Sequence, residues 1–185
     1  MTEKEKSHQR LLYNPLGAEL TAERAAAKEL CCEFNRLRPS DLERRWELIR
    51  KLLGKTKERF YVEQPFLCDY GYNIEVGENF YINHNAVILD CGKVTFGDNV
   101  FIGPNCAFYT PEHPLDAPTR NAGVEYAYPI TVDDNVWIGG NAVVLGGVTI
   151  GSNAVIGAGS VVTRDIPSGV VAVGNPCRVV KRIEN

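Results

Sequence analysis

ITVDDNVWIGGNAVVLGGVTIGSNAVIGAGSVV, residues 130–162, repeats itself every six residues. Val132, Ile138, Val144, Ile150, Ile156 and Val162 share one phase, and Gly139, Gly151 and Gly157 follow three of them. Four positions after each aliphatic residue comes a small or apolar one (Val136, Ala142, Val148, Ala154, Ser160), with Asn135 and Asn153 directly ahead of two of these. A helix repeats at 3.6 residues and an alternating strand at 2, so neither gives this spacing. It suits a chain that runs a short strand, turns sharply at a Gly or Asn able to hold φ > 0, and repeats. Three such sides close a triangular coil of about 18 residues, with strands of successive coils stacked in parallel about 4.8 Å apart and the aliphatic positions inside. The fold class expected is therefore a parallel β-helix of hexapeptide repeats.

Working outward, the same phase holds at Phe96, Ile102 and Phe108 and, on the far side of a two-residue slip, the period of six continues at Val76, Ile82 and Ile88. It is lost from Tyr109 to Tyr128. The twelve sides counted this way make about four coils, a prism on the order of 20 Å tall. Residues 1–60 are different material. Leu30, Phe34 and Leu37 share a helical face with Thr21 as N-cap and Pro39 as the stop. Ser40 and Glu43 read as a capping box ahead of Leu42, Trp46, Ile49 and Leu53, with Gly54 closing the segment. The expected organisation is a helical N-terminal cap (1–60) and a β-helix domain (61–185) with an inserted loop at 109–128 and a basic C-terminal tail.

Composition narrows the function. The 185 residues carry 20 Lys+Arg against 23 Asp+Glu, a formal net charge of -3, which argues against nucleic acid as the main partner. No run approaches the ~18 apolar residues of a membrane span. MTEKEKSHQR, at the start, has no apolar signal-peptide core, so the expected location is cytoplasmic. The six cysteines include no C-x-x-C pair and read as semi-apolar fillers of a reducing compartment.

The interruption YTPEHPLDAPTRNAGVEYAY is where chemistry is expected, since long loops in compact folds are usually functional. It holds His113, one of only three histidines with His8 and His84. A neutral imidazole is the commonest general base near pH 7. A zinc site would need three ligands and the repeat region offers only His84 and His113, so no metal is expected. Arg164, Arg178, Lys181 and Arg182 form a basic cluster suited to a phosphorylated ligand, in a chain with no Gly-rich phosphate loop. Trp137 takes an outward position of the repeat, available for stacking on a ligand or a neighbouring subunit.

The repeat, the histidine loop and the exit GNPCRVV (174–180) resemble the acyltransferases of the left-handed β-helix superfamily. Within it, CDYGYNI (68–74), ENFYINHN (78–85), HPLD (113–116) and ITVDDNVWIGG (130–140) are very similar to the maltose and galactoside O-acetyltransferases. The resemblance covers nearly the whole chain, the helical cap included. It implies a left-handed coil and transfer of acetyl from acetyl-CoA to a sugar hydroxyl, in a homotrimer with its active sites between prisms. By the same resemblance His113 is the general base, the Gly140 N–H holds the oxyanion, and Asn83 lies at the reacting centre. Asp69 and Asn83 contact the acceptor. Trp137, Gly140, Ala158, Thr163, Arg164, Arg178 and Lys181 line the cofactor path. The sequence departs from the family in the stretch Tyr13-Asn14-Pro15-Leu16-Gly17, where an Asp is usual, and at Cys91, where the galactoside enzymes carry an acid. Glu125 is a candidate to orient the imidazole or touch the acceptor. The rival readings are an acetyltransferase for a non-sugar hydroxyl, a non-catalytic trimeric scaffold and a zinc hydratase.

Overall fold

Seven sides of the coil are short because an asparagine ends them. Asn79, Asn85, Asn99, Asn105, Asn135, Asn141 and Asn153 all hold φ between 55° and 61°, the left-handed region that Asn tolerates better than other side chains. Stacked asparagines also bond one another: Asn79 Nδ2 donates to Asn99 Oδ1 at 2.9 Å, and Asn99 Nδ2 to Asn135 Oδ1 at 3.1 Å. The glycines directly after the inward aliphatic positions do a different job from the turns their positions suggested. A Cβ on Gly103 would sit 2.5 Å from the Gly140 N, and one on Gly139 would sit 2.6 Å from the Ala158 N. They are there because the next coil passes too close for a side chain. Gly103→Ala is accordingly expected to lower stability by about 1–3 kcal/mol, the usual cost of overpacking, as urea unfolding would measure.

The computed structural model describes residues 1–184. Strands β1 (Lys55–Thr56), β2 (Phe60–Val62) and β3 (Phe66–Cys68) make the first coil. The next two are β4 (Ile74–Val76), β5 (Phe80–Ile82), β6 (Ala86–Leu89) and β7 (Val94–Phe96), β8 (Phe101–Ile102), β9 (Ala107–Tyr109). A hairpin of β10 (Pro111–Glu112) and β11 (Tyr126–Ala127) interrupts the winding. Two more coils follow: β12 (Ile130–Val132), β13 (Trp137–Ile138), β14 (Val143–Leu145), then β15 (Thr149–Ile150), β16 (Val155–Ile156), β17 (Val161–Val162). β18 (Val170–Val173) starts a further turn and β19 (Arg178–Arg182) folds back on it antiparallel. The solenoid is thus longer than the four coils read from the repeat. Its first coil was hidden because Thr56 and Cys68 stand at the phase positions filled one coil on by Val76 and Ile88, with a further two-residue slip between Cys68 and Val76.

Three parallel, in-register sheets result: β1-β4-β7-β12-β15, then β2-β5-β8-β13-β16-β18 edged by β19, then β3-β6-β9-β14-β17. Ile82, Ile102, Ile138 and Ile156 stack rung on rung inside, each no more than 1% exposed. One continuous core runs the length of the prism and into the helices.

The cap has α1 (Glu3–His8), α2 (Ala18–Arg36) and α3 (Leu42–Leu52). Helix α2 begins earlier than Thr21 would place it, with Gly17 as N-cap, although Phe34 is buried and Leu30 and Leu37 pack against the core as expected. The capping box at Ser40 is absent: Asp41 is the N-cap and no side chain caps the helix. The buried face is also turned, because Leu42 (43%) and Trp46 (44%) stay exposed while Arg45, Leu48, Ile49 and Leu52 are buried. Arg45 explains the rotation. Its guanidinium donates to the carbonyls of Pro39 and Val62 and to the Tyr61 hydroxyl, and pairs with Glu63 at 3.3 Å. That inward cation latches the cap to β2. No helix among the described residues is long and apolar enough to cross a membrane.

Candidate active site

The candidate residues fall on two different edges of the prism. One edge is the corner between the second and third sheets. Because Ile82, Ile102, Ile138 and Ile156 are in register, the residues after them stack in turn. Asn83, Gly103, Gly139 and Gly157 form one rung set, with His84, Pro104, Gly140 and Ala158 the next. The Asn83 N–H donates to the Ile102 carbonyl at 3.0 Å, and the Gly159 N–H to the Gly140 carbonyl at 2.9 Å. The Gly139 and Asn141 N–H groups are taken by Ile156 and Pro104, while that of Gly140 finds no acceptor among the described residues. A backbone donor of that kind can hold an oxyanion without reorganising. Trp137, 58% exposed, stands on the outer face of the second sheet in β13, three residues before Gly140.

The other edge is the corner between the third and first sheets, where the histidine loop leaves the coil. The loop is ordered by the β10–β11 hairpin, with α4 (Ala117–Asn121) at its tip capped by the Asp116 carboxylate. His113 follows β10 and is exposed, and its Nδ1 lies 3.3 Å from the Val124 carbonyl oxygen. A carbonyl only accepts, so Nδ1 carries a proton, and in the neutral ring the lone pair is then on Nε2. That is the tautomer a general base requires. The ring's direct hydrogen-bond partner is therefore the Val124 carbonyl and not the Glu125 carboxylate. Glu125 is 8% exposed and its carboxylate accepts the Tyr13 hydroxyl instead.

Asp69 lies at the base of this edge. Its N–H and that of Tyr70 both donate to Asp90 Oδ1, at 3.0 and 2.8 Å. The Cys91 thiol approaches Asp69 Oδ2 at 3.6 Å. Burial, with Glu125 and Asp69 nearby, pushes that thiol well above its ordinary range, so it stays protonated. Asp69 also lines a cavity of about 550 Å³ walled by Leu67, Val87 and Leu89 and roofed by α2. Asp90 and Tyr13 carried no sequence signal for a place here: each looks like an ordinary polar or aromatic residue at the end of an element.

Asp90 gives the site a pH signature. Burial raises its carboxyl to about 6, outweighing the N–H donors that pull it down, and Oδ2 has no partner. The unfolded chain titrates it near 3.9. The folded state therefore holds the extra proton between those values, so this group's contribution is most favourable below about pH 4 and is lost as pH rises through 6. We expect Asp90→Asn to gain about 2 kcal/mol relative to the parent between pH 4 and pH 7, read by urea unfolding at the two values.

At the far end, Thr163 and Arg164 are exposed after β17, and Arg178 and Lys181 are exposed on β19. None of Arg164, Arg178, Lys181 or Arg182 is in an ion pair among the described residues, so their charges are open to a phosphorylated ligand. No cluster of three or more His, Cys, Asp or Glu that could hold a metal ion occurs among the described residues.

The chain is similar to known proteins. Residues 7–57 match the maltose acetyltransferase hexapeptide capping motif, and residues 129–164 match the bacterial transferase hexapeptide of six repeats. The putative acetyltransferase YJL218W of Saccharomyces cerevisiae is 55% identical over 151 residues, 82% of this chain and 77% of that one. This chain belongs to the hexapeptide-repeat acetyltransferases. Two solved structures of this family align over its full length. The maltose O-acetyltransferase from Clostridium difficile 630 superposes with a TM-score of 0.99 at 50% identity, covering 100% of this chain and 99% of that one. A galactoside acetyltransferase in complex with coenzyme A gives 0.97 at 44% identity, covering 100% and 92%. In this acetyltransferase the histidine loop and the Gly140 corner are separated by the width of the third sheet, about 10 Å for strands of three residues.

Proposed function

We propose that the protein moves the acetyl group of acetyl-CoA to a hydroxyl of a mono- or disaccharide, with His113 as general base. The observation that carries the reading is the His113 ring, held by its Nδ1–H on the Val124 carbonyl with Nε2 free on an exposed loop. The coenzyme A complex of the galactoside acetyltransferase and the maltose enzyme of C. difficile support the donor and the sugar acceptor.

The steps balance without a covalent enzyme intermediate. Nε2 takes the proton of the acceptor hydroxyl as its oxygen attacks the thioester carbon. The oxyanion accepts the Gly140 N–H. Collapse breaks the C–S bond, and the imidazolium returns the proton to the leaving thiolate, giving the acetyl ester and CoA. Asn83 and Asp69 offer polar contacts to the acceptor. Trp137 and Ala158 border the pantetheine path, and Thr163, Arg164, Arg178 and Lys181 receive the phosphates. His113 and Gly140 belong to different edges, so the reading includes a homotrimer in which one prism supplies the loop and its neighbour the corner. Stacked outward along the second sheet are Tyr61, Tyr81, Phe101 and Trp137, an aromatic stripe suited to that packing.

The test is thiol release from acetyl-CoA over a panel of mono- and disaccharides alongside non-sugar alcohols. Release dependent on a sugar is expected. Release only with the non-sugar alcohols would reject the sugar acceptor, favouring the rival suggested by the missing carboxylate between Tyr13 and Gly17.

A further inference from the structure

The segment between α1 and α2 reaches the histidine loop and bonds to it. Tyr13 and Glu125 form an antiparallel bridge: the Tyr13 N–H donates to the Glu125 carbonyl, and the Glu125 N–H to the Tyr13 carbonyl, both at 3.0 Å. Since β11 follows directly, Tyr13 acts as a third strand on the free edge of the β10–β11 hairpin. Its side chain is 1% exposed, and its hydroxyl donates to the Glu125 carboxylate.

The peptide unit joining Val124 to Glu125 links this bridge to the base. The unit is planar, and in the trans form its C=O and N–H point opposite ways. The Val124 C=O accepts His113 Nδ1–H on one side, and the Glu125 N–H donates to Tyr13 on the other. Rotating the plane breaks both bonds at once. A side chain at 124 could not stop such a rotation, but the Tyr13 bridge does. The buried Tyr13–Glu125 contact resists it again, since swinging residue 125 outward would leave a buried hydroxyl and a carboxylate unmatched.

We propose that Tyr13 and Glu125 are positioning residues for His113, clamping the Val124–Glu125 peptide so that the imidazole stays in its Nε2-basic tautomer and orientation. The inference rests on the reading of His113 as the base. It assigns Glu125 to the loop's anchorage and not to the acceptor, and gives the N-terminal segment a part in catalysis. Burial first, then Cys91 and Glu125, pushes the Tyr13 phenol far above its ordinary range, so it remains a donor at every working pH.

The experiment compares Tyr13→Phe, Glu125→Ala and Glu125→Gln, and places Tyr13→Phe also in a His113→Ala background. Misplacement of a catalytic group costs about ten- to a hundredfold. Tyr13→Phe and Glu125→Ala should therefore lower kcat by at least about tenfold, with KM for acetyl-CoA and acceptor within about twofold of the parent. Glu125→Gln, which still accepts the phenol, should recover most of the loss in Glu125→Ala. Residues that act through one another are non-additive. On top of His113→Ala, Tyr13→Phe should then change the residual rate by less than about twofold. A full tenfold loss there, an unchanged kcat in the parent background, or a loss carried by acceptor KM overturns the clamp. A full-rate His113→Ala enzyme would instead overturn the base assignment beneath it. Thermal unfolding of each variant, with assays well below the midpoint, separates a loosened loop from an unfolded chain.

Discussion

Replacing His113 by alanine should lower kcat by about 10²–10⁴-fold and leave KM for acetyl-CoA within about twofold, in an assay of thiol release with a saturating acceptor. The size follows from what is removed. An alcohol near neutral pH is a poor nucleophile, and its attack needs the proton taken as the C–O bond forms. No other histidine is in the loop, so the alanine variant leaves that edge of the prism without an imidazole; His84 sits on the other edge, its Nδ1 2.6 Å from the Gln64 carbonyl oxygen. The selectivity follows from position. The residues proposed to hold acetyl-CoA lie along the Gly140 corner and the C-terminal end of the prism, away from the hairpin that carries His113. A loss shared equally between kcat and the KM for acetyl-CoA would mean the loop binds donor as well. An undiminished kcat would remove His113 from the chemistry, and the free Gly140 N–H would remain without a base to serve.

How far the sequence could be read depended on whether a residue's role is local. The repeat is local, since each inward aliphatic position meets only the rungs above and below, and a period of six survives in the primary sequence. The asparagine turns are local too, because left-handed φ is a property of one residue. Roles set by a neighbour distant in sequence were not legible. Gly103 and Gly139 looked like turn glycines, yet what they answer to is a backbone one coil away. Helix α3 was read by its apolar spacing from Leu42, but the face turned inward is the one carrying Arg45, whose acceptors at Val62 and Tyr61 no spacing rule reveals. The first coil was missed for a related reason: threonine and cysteine filled positions where an apolar period was sought. In the site, His113 stood out because histidine is scarce and the loop breaks the repeat. Its actual hydrogen-bond partner is a backbone carbonyl, which every residue has and which therefore leaves no trace in composition. Tyr13 and Glu125 are 112 residues apart, and only the folded chain brings them together.

Two inactive proteins should restore activity to one another. His113→Ala disables the loop edge and leaves the Gly140 corner intact, whereas Asn83→Ala damages the corner and leaves the loop. Loss of a hydrogen-bonding group at a reacting centre costs about 10²-fold or more, so each variant alone should run at or below about 1% of the parent. If a site takes its loop from one subunit and its corner from the next, co-expression of the two gives mixed rings. A site then works only when the loop comes from the Asn83→Ala subunit and the corner from the His113→Ala subunit. With random assembly that is one site in four, so specific activity should rise to about a quarter of the parent. The fraction does not depend on ring size, because each site samples only one pair of neighbours. Differently tagged subunits and tandem purification confirm that rings have mixed. Mixed rings that stay near 1% would show both groups act within one chain, which would require the histidine loop to cross the third sheet, a path the β10–β11 hairpin and the Tyr13 bridge do not take.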